Sequence, residues 1–147
     1  MERNGALIML IEDDPGHASL IKRNLRRSAI PSSYQIITLE DGKEALEMLK
    51  FVDTSRKSSR LVVLLDLNLP VISGMELLET IKQNEHMRHI PVFVLSTTDD
   101  PQEIEKCYEL GCNIYITKPV DHEQFSDTMC KLGDFIPTIH VPLGAKP

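Results

Sequence analysis

The stretch Leu61-Val62-Val63-Leu64-Leu65-Asp66-Leu67-Asn68-Leu69-Pro70 decides the fold. A strand with one wet face alternates apolar and polar residues. An unbroken aliphatic run closed by an acid reads instead as a strand buried on both faces, as in parallel sheets. Working outward, residues 6–11, 91–96 and 113–117 are further short apolar runs bounded by turn residues. Residues 34–39 form a weaker strand with the same β-branched and aromatic bias.

Between these runs the apolar residues change period. Ala18, Ile21 and Leu25 recur at helical spacing, as do Ala45, Met48, Leu49 and Val52, then Leu77, Leu78 and Ile81, then Ile104, Cys107, Tyr108 and Leu110. Gly111 reads as a helix stop and Asp121 as the N-cap of a fifth helix running to about Leu132. Five strand–helix pairs in alternation predict an α/β fold: a doubly wound, five-stranded parallel sheet with helices on both faces. Residues 53–60, polar, basic and serine-rich, read as a surface loop. The expected domain spans 1–134, followed over 135–147 by an extended, proline-containing tail with no output domain.

Composition agrees with one globular domain. Hydrophobic residues make up 41% and charged ones 26%. A net charge of −6 argues against a nucleic-acid surface, which is usually basic. Cys107, Cys112 and Cys130 have no metal-ligand spacing and leave an odd thiol. The N-terminus lacks a leader pattern, and no apolar run approaches the roughly 18–20 residues of a membrane span. A reduced, cytoplasmic protein is the expectation, with no membrane partner.

In a doubly wound sheet the binding crevice lies beyond the carboxyl ends of the strands. Strand one ends in Glu12-Asp13-Asp14, strand three in Asp66, strand four in Ser96-Thr97-Thr98 and strand five in Lys118-Pro119. In strand order 2-1-3-4-5, Asp13 and Asp66 are neighbours. Close carboxylates repel unless a cation intervenes, and Mg²⁺ suits such a site because it takes one or two carboxylates and keeps waters for phosphate oxygens. Asp66 then becomes a nucleophile toward phosphorus, with Lys118 and Ser96 to neutralise and hydrogen-bond a phosphoryl group.

Each residue also has a bland reading. Asp14-Pro15 suits a helix start, which for Asp14 is the preferred one. Asp66 alone reads as a turn residue, Ser96-Thr97-Thr98 as loop and cap, Lys118-Pro119 as a surface turn. Their convergence on successive strand tips favours the chemical reading.

At these residues the chain closely resembles the receiver domain of bacterial two-component response regulators, over about residues 6–132. The motifs are Glu12-Asp13, Asp66-Leu67-Asn68-Leu69-Pro70 running to Gly74, Ser96, and Tyr115-Ile116-Thr117-Lys118-Pro119. The resemblance implies the flavodoxin-like, CheY-like fold and makes Asp66 the phosphoacceptor. It implies Asp13 as a direct Mg²⁺ ligand, Glu12 as a ligand through water and Asn68 as one through its carbonyl, with Asp66 completing the set. Ser96 and Lys118 contact the phosphoryl group, and Tyr115 is the switch aromatic. The Lys118–Pro119 bond is expected cis, a form that proline makes accessible at about 0.5–1 kcal/mol. Gly74 and Pro70 are the turn and helix-entry residues after strand three. Ser at 96 and Glu at 12 are variants within the family, where Thr and Asp are commoner.

Leu64-Leu65-Asp66-Leu67-Asn68-Leu69-Pro70, Ile81-Lys82-Gln83-Asn84 and Ile90-Pro91-Val92 resemble the stand-alone regulators that partner cyanobacterial and bacterial phytochrome kinases. The implied partner is a sensor histidine kinase, with a bacteriophytochrome as one candidate, or a phosphotransfer protein. The implied signal is a repacking of the fourth helix, strand five and the fifth helix (the α4-β5-α5 face), which with the tail offers a homodimer surface. Phe135, Ile136, Ile139, Val141 and Leu143 make the tail too apolar for an idle terminus, so it is expected to pack on its own domain or on a twin. Arg23, Arg26 and Arg27 read as a solvated face, or as kinase docking by analogy with the family. His86 and His89 are expected to be exposed, and His17, His122 and His140 receive no role.

An Asp-dependent phosphatase would show Asp-x-Asp, where this chain has Asn68, so no enzyme beyond self-modification is expected. A flavin or nucleotide site would need a glycine- or hydroxyl-rich loop after strand one, where three acids stand. A scaffold that never carries phosphate would have lost the acids or the lysine.

Overall fold

The computed structural model describes residues 6–54 and 60–139. Strands and helices alternate as β1 (Ala6–Ile11), α1 (Pro15–Arg27), β2 (Gln35–Leu39), α2 (Gly42–Thr54), β3 (Arg60–Asp66), α3 (Gly74–Gln83), β4 (Val92–Ser96), α4 (Pro101–Leu110), β5 (Ile114–Thr117) and α5 (His122–Phe135). The strands form one sheet in the order β2-β1-β3-β4-β5, every neighbouring pair parallel.

The period of two along each strand divides the interior. Ile8, Leu10, Val62, Leu64, Phe93 and Leu95 face α1 and α5, meeting Ile21, Leu25, Phe125 and Met129. Met9, Ile11, Val63, Leu65, Val92 and Val94 face the other way, meeting Leu49 of α2, Leu77, Leu78 and Ile81 of α3, and Cys107 of α4. Burying each large aliphatic side chain contributes about 1.5–3 kcal/mol, so two filled faces hold the sheet between both helix layers. The unbroken run of β3 follows from its central place between them.

Helix starts follow local chemistry. Asp14 caps α1 by accepting from Gly16 N at 2.9 Å and His17 N at 3.4 Å, with Pro15 in the first turn, so its bland reading holds. Ser73 and Glu76 form a reciprocal capping box on α3. Asp100 and Asp121 cap α4 and α5, and Gly111 ends α4 in the left-handed region at φ 107°. Strand β5 starts one residue later than expected because Asn113 is occupied as a clasp. Its Oδ1 accepts from Val92 N at 2.8 Å and Lys82 Nζ at 3.1 Å.

Several expectations need correction. The Lys118–Pro119 bond is trans, since the described residues contain no cis peptide. Trans is the lower-energy form even before proline. The expected extended tail begins as helix. Residue Phe135 closes α5 and Ile136–Thr138 adds a 3₁₀ turn, because Ile136 (2% exposed) and Ile139 continue the apolar stripe onto the α1–α5 core. Arg60 Nη2 donates to Ile139 O at 2.8 Å and fixes the turn to β3. Packing on its own domain is therefore seen as far as Ile139. Val141 and Leu143 lie outside the described residues, as do positions 55–59 of the expected loop; residues 53–54 finish α2 and Arg60 opens β3. His86 is exposed, but His89 is half-buried. Among the described residues no helix is long and apolar enough to cross a membrane.

Gly74 is the tightest backbone approach near the strand tips. A Cβ there would lie 2.4 Å from Leu67 Cα and 2.8 Å from Asp66 O. Both neighbours are main chain and cannot rotate away. Gly74→Ala is therefore expected to lose about 1–3 kcal/mol in urea unfolding, as overpacked sites do. A wild-type midpoint would mean that the loop after β3 gives way freely.

Candidate functional site

Parallel register brings the strand ends to one rim: Ile11 lies opposite Leu65, Asp66 opposite Leu95 and Ser96 opposite Thr117. Glu12, the residue after Ile11, is thus level with Asp66, while Ser96 lies one residue beyond that level and Lys118 two. Glu12 continues β1, its N–H donating to Leu39 O at 2.9 Å, and its side chain is 2% exposed. Asp66 is 4% exposed and Lys118 5%.

Lys118 Nζ donates to Glu12 Oε1 at 3.1 Å and lies 3.4 Å from Asp66 Oδ2. Asp66 Oδ1 accepts from Asn68 N at 3.1 Å, and Glu12 Oε2 accepts from Asp14 N at 3.3 Å. Carboxylate oxygens of Glu12, Asp13 and Asp66 all fall within 4.8 Å of one another. Asp13 is the exposed member of the three. Two buried acids and one buried ammonium leave an excess of negative charge. Burial, and then the hydrogen bond with Asp66, push the Glu12 carboxyl up from 4.5 to about 7, with Lys118 working against both. An acid held this way accepts either a proton or a second cation. The donor set is all hard oxygen with one open side, which fits Mg²⁺ or Mn²⁺ and no softer metal.

The structure thus brings Glu12, Asp13, Asp66 and Lys118 together, with Asn68 offering backbone and an exposed side chain. Ser96 is buried at the same rim, but its hydroxyl donates to Glu103 Oε2 at 3.1 Å and accepts from Thr98 N at 3.3 Å. Tyr115 is half-buried, with its hydroxyl 2.7 Å from Thr98 O and 2.8 Å from Glu103 Oε2.

Three residues escaped the sequence reading. His17 Nδ1 lies 3.5 Å from Lys118 Nζ and 4.0 Å from Glu12 Oε1, its ring stacked on Phe125 at 5.9 Å. One helical turn after Asp13, it was detectable only by asking which α1 residues face the rim. Glu103, in the first turn of α4, had the same kind of signal. Val71, left-handed at φ 66° and 84% exposed, is the strained residue of the loop after β3. For a β-branched side chain that conformation costs on the order of 1–3 kcal/mol. The turn lies there, with Ile72 N bonding Pro70 O at 2.7 Å, rather than at Gly74.

A buried strand-tip aspartate with a lysine, two further acids and a hydroxyl on a 2-1-3-4-5 sheet defines a class. The family model for the response regulator receiver domain matches residues 8–129, and the chain belongs to that family. Its relatives narrow the likeness. It is 44% identical to a response regulator receiver domain from Rhodospirillum rubrum, with a TM-score of 0.86 over 95% of this chain and 99% of that one. It is 38% identical over 113 residues to the response regulator Rcp1 of Synechocystis, 76% of each chain. The Mn²⁺-bound structure of Rcp1 superposes with a TM-score of 0.80, at 32% identity over 92% of this chain and 98% of that one. The phosphorylated cyanobacterial phytochrome response regulator RcpA superposes at 0.83, at 33% identity over 95% and 99%. The chain is a two-component receiver domain similar to the response regulators of phytochromes.

Proposed function

We propose that Asp66 accepts a phosphoryl group from a sensor histidine kinase or a phosphotransfer protein, and that Mg²⁺ assists from the site formed by Glu12, Asp13, Asp66 and the Asn68 carbonyl. The observation that carries this reading is the buried Asp66 carboxylate, 3.4 Å from a buried ammonium and within 4.8 Å of two further acids. A carboxylate oxygen of Asp66 attacks phosphorus. The bond from phosphorus to the donor's nitrogen breaks, and its electron pair leaves with the donor histidine. Bound Mg²⁺ would neutralise the carboxylates and the incoming phosphoryl oxygens. Lys118, already held by Asp66 and Glu12, offers its charge to a phosphoryl oxygen, and Ser96 offers its hydroxyl proton. The chain modifies only its own aspartate in this reading.

Added charge at the strand tips signals by biasing two packings of α4, β5 and α5, with Tyr115 reporting the change. A homodimer through that face and the tail is one output, and contact with a target protein the other. Likeness to Rcp1 and RcpA favours a phytochrome among the kinases, and the net charge of −6 favours protein over nucleic acid as partner.

Incubation with Mg²⁺ and acetyl phosphate tests this. The intact mass is expected to rise by one phosphoryl group, the rise to vanish with EDTA, and peptide mapping to put it on Asp66. A chain left unmodified, or modified elsewhere, sinks the assignment. Modification unaffected by EDTA sinks the metal's part.

A further inference from the structure

We infer that Glu103 of α4 is the positioning residue that links Ser96 to Tyr115: one carboxylate oxygen that competes with the phosphoryl site for the Ser96 proton and passes the loss of that proton to Tyr115 and its own helix. The inference rests on the proposed role of Asp66.

The geometry is a proton count. Ser96 has one hydroxyl proton, and it goes to Glu103 Oε2 at 3.1 Å, while its oxygen already accepts from Thr98 N. Tyr115 also has one proton, and its oxygen stands 2.7 Å from Thr98 O and 2.8 Å from that same Glu103 Oε2. Two donors on one carboxylate oxygen weaken each other, because each withdraws the charge the other uses. A phosphoryl oxygen on Asp66 that takes the Ser96 proton takes it from Glu103. The carboxylate is then left to Tyr115 alone, and the Tyr115–Glu103 bond tightens at the expense of the Tyr115–Thr98 bond. Burial raises the phenol's pKa, the adjacent Ser96 hydroxyl works against it and Glu103 adds to it, and with the net shift upward the phenol stays a donor throughout.

The consequence reaches α4 directly. Glu103 lies in the first turn of that helix, after the Asp100 cap. Tyr115 sits on β5, where its N–H donates to the Tyr108 hydroxyl of the same helix at 3.0 Å. A change in one oxygen's partners therefore shifts α4 against β5, the two elements of the proposed signalling face. Thr98, held through its N–H by Ser96 and through its carbonyl by Tyr115, ties the β4–α4 connection to both.

The test uses Glu103→Ala and Glu103→Gln in the full chain, with acetyl phosphate and Mg²⁺ as probe. Glu103→Ala frees the Ser96 proton, so the phosphoryl group should persist roughly two- to tenfold longer after donor removal, the weight of one hydrogen bond. The amide shifts of α4 and Tyr115 on modification should fall below half their wild-type size. Glu103→Gln keeps one neutral acceptor and should restore part of the shifts. A second measurement needs no phosphoryl group: Ser96→Ala should move the Tyr115 ring signals in the direction modification does, and lose that effect in the Glu103→Ala background. Wild-type lifetime together with full α4 shifts in Glu103→Ala overturns the inference and leaves Asp66 as acceptor. A wild-type chain that takes no phosphoryl group overturns both.

Discussion

Asp66→Asn is expected to fold and to gain no mass from acetyl phosphate at any Mg²⁺ concentration. Asn matches Asp in shape, and its carbonyl can still accept from Asn68 N, the 3.1 Å bond that sets the loop after β3. What is lost is the nucleophile. An amide oxygen has too little charge to attack phosphorus, and no neighbour is placed to replace it: Glu12 is tied to Lys118 and Asp14 N, and Asp13 is exposed. Stability should move the other way. Burial is the chief cause of the raised Glu12 pKa, but Asp66 adds to it by hydrogen bond and by charge, so its removal lowers that pKa part of the way and leaves Glu12 paired with Lys118. In EDTA above pH 7 the variant should unfold at equal or higher urea than wild type, and Mg²⁺ should stabilise it less. Mass gain in Asp66→Asn would move the acceptor to another acid. A clear loss of stability in EDTA would mean that the carboxylates do not strain one another.

The fold and the centre of the site were legible because both are written along strands. An apolar run that ends in a polar residue announces both a buried parallel strand and what its tip presents, and so Glu12, Asp13, Asp66, Ser96 and Lys118 could be read in order. Residues that reach the rim from helices carry no such mark. His17 stacks on Phe125 of α5, and Glu103 meets Tyr115 of β5, each a contact between elements distant in sequence. Local pattern cannot report a pairing that only the tertiary arrangement creates. Two further misses were matters of conformation. Gly74 looked like the turn because glycine is permissive, yet it is needed for close approach to Leu67, while Val71 takes the left-handed angle. The tail after Leu132 looked extended because of its prolines, but Pro137 sits in the first turn of a 3₁₀ helix, where a missing N–H does no harm.

Lys118→Met should show how far one ammonium holds the site together. In the wild type its Nζ faces Glu12 at 3.1 Å and Asp66 at 3.4 Å, all three side chains nearly sealed from water. Methionine fills a similar space and leaves two buried carboxylates without their counter-charge. Removing one partner of a buried ion pair costs about 3–5 kcal/mol, because the charge left behind is neither hydrated nor paired. The pH dependence has a definite sign. Between 4.5 and about 7 the folded wild type without metal retains a proton on Glu12 that the unfolded chain has released, so stability falls as pH rises through that window and levels off above it. Lys118 is one of the groups that lower the Glu12 pKa, so in the variant the proton is held to higher pH and the fall continues further. Urea titrations in EDTA from pH 5 to pH 9 should therefore give curves closest together at the acid end and diverging upward. Mg²⁺ should recover part of the difference by meeting the same carboxylates. Parallel curves at all pH values would mean that the lysine neutralises nothing, and that its place at the strand tips is only a matter of packing.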